Sequence, residues 1–281
     1  MTSTKDKLKT NYEITWCPGC PDFMILESAK KAFSDLIEQK FCKHEDISIV
    51  TGIGCHAKIF DYLNTSGFYG LHGRVLPTAL GVKLGNPNLS VVGFAGDGDT
   101  YAEGMEHFIH AGRYNADMTL VVHDNRAFSL TTGQATPTSQ QGYKTKAEPL
   151  GEFNIPLNPI KLALASGVTF IARCNAKNIE HTAEILKKAI KHKGFSFVEI
   201  MQDCLIFNLE INNLDKLMHE VENKNDMKKA QELADEWNYN TKTGKIPIGI
   251  LYETHRPTLE EEWPQLQNLL KKKIGWKNLK R

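Results

Sequence analysis

The chain has 281 residues, 41% of them hydrophobic, and a formal net charge of +1 at pH 7, which is enough for one large domain or two small ones with a full core. The near-neutral charge predicts no binding to nucleic acid, and the lack of an apolar run of about 20 residues predicts no membrane span. No apolar stretch follows the amino-terminal lysines, so we expect no secretory signal and a cytoplasmic location.

The first motif is a CxxC turn, Trp16-Cys17-Pro18-Gly19-Cys20, which follows a polar arm. Such a turn presents two thiols to one centre. It is typical of a redox dithiol pair, of half a zinc site or of half an iron–sulfur site. A helix is predicted over residues 23–40, and Asp22 could cap it.

A predicted strand over residues 47–51 ends in a glycine turn that carries Cys55. A single cysteine after a strand is usually a small buried hydrophobe, so this position alone does not indicate a ligand. Residues 61–73 are predicted as a loop, in which His72 could be an ordinary polar residue. The next helix is predicted over residues 75–84.

The most informative stretch has two predicted strands, residues 89–95 and 118–122, on either side of a helix. Gly96-Asp97-Gly98-Asp99 follows the first strand, and Asp124-Asn125 follows the second. The carboxyl ends of parallel strands share one edge of a sheet, so we expect Asp97 and Asn125 to lie together. Two oxygen side chains beside a helix amino terminus favour Mg²⁺ bound to a phosphate or diphosphate. Read alone, the GDGD turn could equally be a strand-to-helix turn in which Asp99 or Thr100 caps the helix.

The rest of the chain continues the alternation of loops, helices and strands. The hydroxyl-rich loop 129–139 is either a plain solvent loop or a loop that closes over phosphates. Strands are predicted over residues 168–172 and 195–201. Cys204 comes just after the second of these strands.

The pattern predicts an α/β fold with a doubly wound, mostly parallel sheet. We assign residues 1–210 to this domain. Residues 211–281 are predicted to form a helical, charged C-terminal extension packed on it, with a single strand over residues 246–252.

Four cysteines follow turns or strand ends and could meet at one sheet edge: Cys17, Cys20, Cys55 and Cys204. Four thiolates suit either zinc or a [4Fe–4S] cluster, and their spacing does not decide between the two. Cys42 and Cys174 lie in polar connections without a glycine turn, so we expect them to be bystanders.

Taken together, these motifs resemble the beta subunits of 2-oxoacid:ferredoxin oxidoreductases, which bind thiamine diphosphate. Asp97 and Asn125 stand 28 positions apart, about the length of one βαβ unit, and this spacing resembles the thiamine diphosphate motif. The other matching stretches are WCPGC (16–20), GIGCHAK (52–58), LHGRVLPTALGVKLGNPNLSVVGFAGDGD (71–99), HDNRAFSLTTGQATPTS (123–139), DCLIFN (203–208) and IPIGILYETHRPTLEEEW (246–263).

The resemblance implies thiamine diphosphate, Mg²⁺ and one [4Fe–4S] cluster as cofactors, with coenzyme A as co-substrate. The Mg²⁺ ligands would be Asp97, Asn125 and the backbone carbonyl of Ala127, and the cluster ligands Cys17, Cys20, Cys55 and Cys204. Lys58 would lie near the substrate carboxylate, and His72 and Arg74 would line the pocket as catalytic residues. The implied cofactor-binding residues are Gly54, Cys55, His72, Gly96, Asp97, Gly98, Asp99, Asn125, Ala127, Leu130 and Thr131.

The implied reaction is the oxidative decarboxylation of a 2-oxoacid, such as pyruvate or 2-oxoglutarate, to acyl-CoA and CO₂. The electrons would leave one at a time through the cluster to ferredoxin. The glutamate that activates the thiamine lies on the alpha subunit in this family, so the resemblance implies a chain that is active only with an alpha subunit. The chain departs from the family at Asp203, where a proline is common, and at Thr132, where lysine or glycine is common.

Two other functions are consistent with parts of the pattern. A non-redox thiamine diphosphate-dependent decarboxylase subunit would need the GDG motif but no four-cysteine site. A zinc-stabilised α/β binding module would use the cysteines and have a fortuitous GDGD turn. The motifs themselves do not specify the 2-oxoacid, because the framework is common to several of them.

Overall fold

The computed structural model describes residues 3–209 and 214–278, and within them eight strands form one sheet. The strands are β1 (Ile47–Thr51), β2 (Ser66–Tyr69), β3 (Ser90–Gly96), β4 (Met118–Asp124), β5 (Phe170–Asn175), β6 (Ser196–Met201), β7 (Met218–Glu222) and β8 (Ile246–Glu253). Their order is β2-β1-β3-β4-β6-β5-β8-β7. Neighbouring strands are parallel except β5 and β8, which are antiparallel. The predicted α/β class with a mostly parallel sheet is confirmed.

Helices cover both faces of this sheet. Their bounds are α1 (Thr4–Lys7), α2 (Asp22–Glu38), α3 (Ile59–Tyr62), α4 (Val75–Gly85), α5 (Met105–Tyr114), α6 (Pro159–Ala165), α7 (Ile179–Lys191), α8 (Met227–Asp235), α9 (Leu259–Glu262) and α10 (Pro264–Lys272). Helices α2 and α7 pack on one face, and α4, α5, α6 and α8 pack on the other.

Strand β3 explains why both faces need a cover. Val92 and Phe94 belong to the core beneath α2 and α7, whereas Val91 and Ala95 belong to the core beneath α4 and α5. Successive side chains of a strand point to opposite faces, so a strand that is apolar throughout must be buried on both sides. The sheet is therefore doubly wound.

Two strands are missing from the sequence-based prediction, β2 and β7, and both lie at edges of the sheet. The sequence pattern predicts a loop over residues 61–73 and only one strand after residue 211. In β2 three of the four residues are exposed, and none of the residues of β7 is buried. An edge strand that is partly exposed to solvent lacks the apolar run that identifies a central strand.

The C-terminal segment therefore completes the main sheet through β7 and β8, in addition to packing helices on it. The predicted domain boundary at 210/211 lies in residues 210–213, outside the described residues, and stays a prediction. No helix within residues 3–209 and 214–278 is both long enough and apolar enough to cross a bilayer.

A buried ion pair between β5 and β6 is hydrogen-bonded to residues of this C-terminal segment. Arg173 Nε on β5 donates to Glu199 Oε2 on β6 at 2.6 Å. Arg173 also donates to the Tyr239 hydroxyl at 2.6 Å and to the Pro247 carbonyl at 3.2 Å. Tyr239 in turn donates to Glu199 at 2.7 Å. Burial of these charges is tolerated because their donor and acceptor atoms are hydrogen-bonded.

Candidate cofactor site

The ends of β3 and β4 form one wall of a pocket at the edge of the sheet. Gly96 pairs with His123 in the parallel register, so Asp97 and Asn125 follow at neighbouring strand ends. All eleven residues predicted to bind the cofactor line this pocket: Gly54, Cys55, His72, Gly96, Asp97, Gly98, Asp99, Asn125, Ala127, Leu130 and Thr131. The sheet edge thus brings together residues that are far apart in the chain.

Asp97 is buried and is held by hydroxyl groups of the loop that follows β4. Its Oδ2 accepts hydrogen bonds from Thr136 Oγ1 at 2.5 Å and from Thr138 Oγ1 at 2.9 Å. Thr138 Oγ1 also lies 2.9 Å from Asp124 Oδ1. Burial raises the pKa of Asp97 to about 6, although the threonine hydrogen bonds act in the opposite direction. Burial and the nearby Asp97 charge also raise the pKa of Asp124 well above its usual value.

Asn125 is held by the turn that it begins. Its Oδ1 accepts from Ala127 N and from Ser129 Oγ, both at 3.1 Å. Arg126 has a φ of 55°, a left-handed conformation that is uncommon for a residue with a side chain. The Arg126 guanidinium lies 4.5 Å from the centre of the Trp237 ring. A cation–π contact with the C-terminal segment therefore secures the turn that carries Asn125 and Ala127.

Close neighbours leave no room for a side chain at either glycine of the GDGD turn. A Cβ at Gly98 would lie 2.2 Å from the Phe128 ring, and a Cβ at Gly96 would lie 2.8 Å from His56 Nδ1. Both distances are far below van der Waals contact. Phe128 and His56 also line the pocket, so these glycines let two pocket side chains approach the backbone.

Asp99 does not cap the following helix, because its carboxylate faces two histidines. Asp99 Oδ2 lies 3.3 Å from His56 Nε2, and Asp99 Oδ1 lies 3.5 Å from His72 Nδ1. The same carboxylate accepts a short hydrogen bond from the backbone N–H of Gly73. Asp99 begins a π-helical turn, Asp99–Glu103, a form that occurs often at functional sites.

Two of the three predicted catalytic residues do not line this pocket. Lys58 Nζ donates to Thr15 Oγ1 at 3.1 Å, and the exposed Arg74 donates to the Glu103 carbonyl at 2.9 Å. His72 does line it. The catalytic roles of all three remain predictions.

The CxxC turn and the two single cysteines come together beside the pocket. Trp16 Nε1 donates to the carbonyl of Cys55 at 2.7 Å. A Cβ at Gly19 would lie 3.5 Å from Leu205, so the turn also packs against the residue after Cys204. Each of the other three thiols interacts electrostatically with Cys55. Burial raises the pKa of Cys55 to about 11 and that of Cys20 still further.

Within residues 3–209 and 214–278, no three His, Cys, Asp or Glu side chains converge to hold a metal ion. A four-iron cluster binds each thiolate at a different iron, so its four ligands need not converge on one point. A cysteine thiol must lose its proton to bind a metal ion. Because the pKa values of Cys20 and Cys55 are raised, their deprotonation depends on the metal itself. The donor set is chemically suited to iron.

Several pocket residues were missed by sequence reasoning, notably His56, His123 and Gln202. His123 Nε2 and Gln202 Oε1 are buried and have no hydrogen-bond partner in the described part of the chain. Buried polar atoms are normally paired, so these atoms fit a ligand that carries polar groups. His123 could have been found as a polar residue inside an apolar strand. The prediction that Asp22 caps helix α2 was wrong. The N-cap of α2 is Pro21, with no side-chain cap, because the Asp22 carboxylate accepts from His123 instead.

Comparison with known proteins identifies the family. Residues 52–200 match the model described as thiamine pyrophosphate enzyme, C-terminal TPP binding domain. Residues 206–268 match the model of the C-terminal part of the pyruvate ferredoxin oxidoreductase beta subunit. The 2-oxoacid:ferredoxin oxidoreductase subunit beta of Saccharolobus solfataricus is 40% identical over 267 residues, covering 88% of this chain and 84% of the relative. The chain belongs to the family of 2-oxoacid:ferredoxin oxidoreductase beta subunits.

Other relatives agree with this membership. The 2-oxoglutarate synthase subunit KorB of Methanocaldococcus jannaschii is 33% identical over 260 residues, covering 91% of this chain and 93% of the relative. A solved structure of 2-oxoglutarate:ferredoxin oxidoreductase from Magnetococcus marinus, with 2-oxoglutarate, coenzyme A and succinyl-CoA bound, matches with a TM-score of 0.87 at 32% identity. It covers 96% of this chain and 91% of that chain. The predicted family, fold and oxidoreductase class are confirmed, and a non-redox decarboxylase is not favoured.

Proposed function

We propose that this beta subunit binds thiamine diphosphate through Mg²⁺ and carries a [4Fe–4S] cluster beside it. With an alpha subunit, it would decarboxylate a 2-oxoacid oxidatively, with coenzyme A as acyl acceptor and ferredoxin as electron acceptor. The observation that carries the proposal is the meeting of two strand ends, with Asp97 and Asn125, at a pocket that Cys55 also lines.

The oxygen donors suit a small hard cation. Asp97 and Asn125 supply one carboxylate and one amide oxygen, and Ala127 supplies a backbone carbonyl as a third ligand. Mg²⁺ usually takes one or two carboxylates and completes its shell with phosphate and water. The hydroxyls of Thr136 and Thr138 would keep the Asp97 carboxylate oriented towards the ion. Bound thiamine diphosphate supplies the carbanion chemistry that breaks the bond to the carboxyl carbon of the substrate.

The four thiols support an iron–sulfur cluster next to this pocket. Cys55 lines the pocket and interacts electrostatically with Cys17, Cys20 and Cys204. A cluster held there would lie close to the cofactor, as single-electron transfer requires. All six cysteines are free, which suits the reducing cytoplasm that we expect for this enzyme.

An alpha subunit is needed to complete the pocket. Thiamine activation in this family uses a glutamate, and no glutamate lines the pocket in the described part of the chain. The names of the relatives as beta subunits support the same view. We expect the purified chain alone to give no turnover of 2-oxoacid with coenzyme A and methyl viologen, whereas the alpha–beta complex does.

The cluster ligands can be tested with a matched pair of cysteine variants. In anaerobically purified complex we expect Cys204→Ser to lose most of its iron and acid-labile sulfide, together with its visible absorbance. Cys42→Ser is the control, because Cys42 packs against the core and lies outside the predicted ligand set. Full iron content in the Cys204 variant would refute Cys204 as a cluster ligand. Zinc in place of iron in the unmodified complex would refute the cluster.

A further inference from the structure

A buried aspartate–histidine pair, Asp22 and His123, lies beside the pocket and has no role in the function described so far. Asp22 Oδ1 accepts a hydrogen bond from His123 Nδ1 at 2.7 Å. Asp22 is 0% exposed and His123 is 1% exposed. The other oxygen of Asp22 accepts from the Cys20 thiol at 3.5 Å. The pair therefore joins the CxxC turn to the wall of the pocket.

The second nitrogen of His123 has no partner in the described residues. His123 lines the same pocket as Asp97 and Asn125, and its Nε2 is buried without a hydrogen bond. Leaving such a buried atom unpaired is unfavourable. A group that enters the pocket can supply the missing partner.

Asp22 determines what kind of partner this nitrogen needs. A carboxylate oxygen accepts hydrogen bonds, so Nδ1 of His123 carries the hydrogen. In the neutral ring Nε2 is then an acceptor, and its partner must be an N–H or O–H group. An ionised 2-oxoacid offers only acceptor oxygens to such a nitrogen. Thiamine diphosphate and coenzyme A both carry donor groups, and thiamine diphosphate is the ligand that Asp97 and Asn125 would hold in this same pocket.

We propose that His123 Nε2 accepts a hydrogen bond from an N–H group of the bound cofactor, with Asp22 as the positioning residue that fixes the ring. This inference rests on the proposed binding of thiamine diphosphate. It adds a contact on the thiamine portion of the cofactor, away from the Mg²⁺ and diphosphate that Asp97 and Asn125 would hold.

The test measures cofactor affinity in the alpha–beta complex after removal of its cofactor. Titration calorimetry with thiamine diphosphate at saturating Mg²⁺ gives the dissociation constant. His123→Asn keeps an amide N–H for Asp22 and removes only the pocket nitrogen. Asp22→Asn keeps the ring but lets the new amide donate to Nδ1, which moves the ring hydrogen to Nε2. We expect each variant to bind three- to tenfold more weakly, about the effect of one hydrogen bond.

The control is His192→Asn, because His192 is another buried histidine, bonded to Thr169 at 2.9 Å, and it does not line the pocket. We expect it to change the melting temperature of the cofactor-free complex but not the dissociation constant. Unchanged affinity in both His123→Asn and Asp22→Asn would overturn the inference. Failure of the unmodified complex to bind thiamine diphosphate would instead overturn the proposed function.

Discussion

Asp97→Asn should stabilise the cofactor-free chain while removing the carboxylate of the proposed Mg²⁺ site. The pKa of Asp97 rises from 3.8 to about 6 on folding because the carboxyl is buried. Each pKa unit corresponds to about 1.4 kcal/mol, so the ionised carboxylate costs the folded state about 3 kcal/mol at neutral pH. An amide at this position has no charge to bury, and it also relieves the repulsion with Asp124.

The effect has a definite pH dependence. Between about pH 4 and pH 6 the folded state binds the Asp97 proton and the unfolded state releases it, so stability falls as the pH rises through this window. Above pH 6 the full cost is present. We therefore expect the variant and the parent to unfold at similar urea concentrations near pH 4, and the variant to be about 3 kcal/mol more stable at pH 7.

The assay is urea unfolding of the cofactor-free chain in EDTA, followed by tryptophan fluorescence at both pH values. Glu13→Gln, which alters an exposed carboxyl, is the control and should change neither curve. Mg²⁺ and thiamine diphosphate should then stabilise the parent but not Asp97→Asn. A variant no more stable than the parent at pH 7 would refute the reasoning that burial of this carboxylate destabilises the empty site.

Two further results are expected. Gly98→Ala should cost about 1–3 kcal/mol in urea unfolding, because its Cβ would lie 2.2 Å from the Phe128 ring, and it should weaken cofactor binding in calorimetry. Gly81→Ala, where a Cβ meets nothing within 4 Å on α4, should leave binding unchanged and raise stability by up to about 1 kcal/mol; equal effects of the two would contradict the steric argument. Burial lowers the pKa of His192 from 6.5 to about 4. Between these pH values the unfolded state binds the His192 proton and the folded state does not, so stability should fall as the pH drops from 6.5 to 4. His192→Gln should flatten that loss in pH-dependent unfolding, and an unchanged slope would argue against it.

The central half of the fold was predictable because its strands carry an unmistakable pattern. Strands β1, β3, β4 and β6 are short runs rich in Val and Ile that are buried on both faces. Their carboxyl ends meet at one edge, so Asp97 and Asn125 could be brought together from chain order alone. The edge strands β2 and β7 could not be predicted, because exposure removes the hydrophobic signal.

The pocket contacts that sequence reasoning missed are those between distant parts of the chain. Asp22 and His123 are 101 positions apart, and no local pattern relates them. The contact of Arg126 with Trp237 likewise depends on where the C-terminal segment packs. Conversely, Lys58 and Arg74 follow motifs closely, yet their side chains contact Thr15 and Glu103 rather than the pocket. Spacing predicts which strand ends meet, but it does not predict the direction of a side chain after a turn.

The buried pair Arg173–Glu199 has a consequence for synthesis of the chain on the ribosome. Every strand that builds the pocket precedes residue 202, so that framework emerges first. The groups that complete the pair, the Tyr239 hydroxyl and the Pro247 carbonyl, emerge later, after all of these strands. Until then one side of β5 lacks its antiparallel neighbour β8 and leaves a charged pair incompletely covered, so a nascent chain halted before residue 239 should be a substrate for chaperones and proteases.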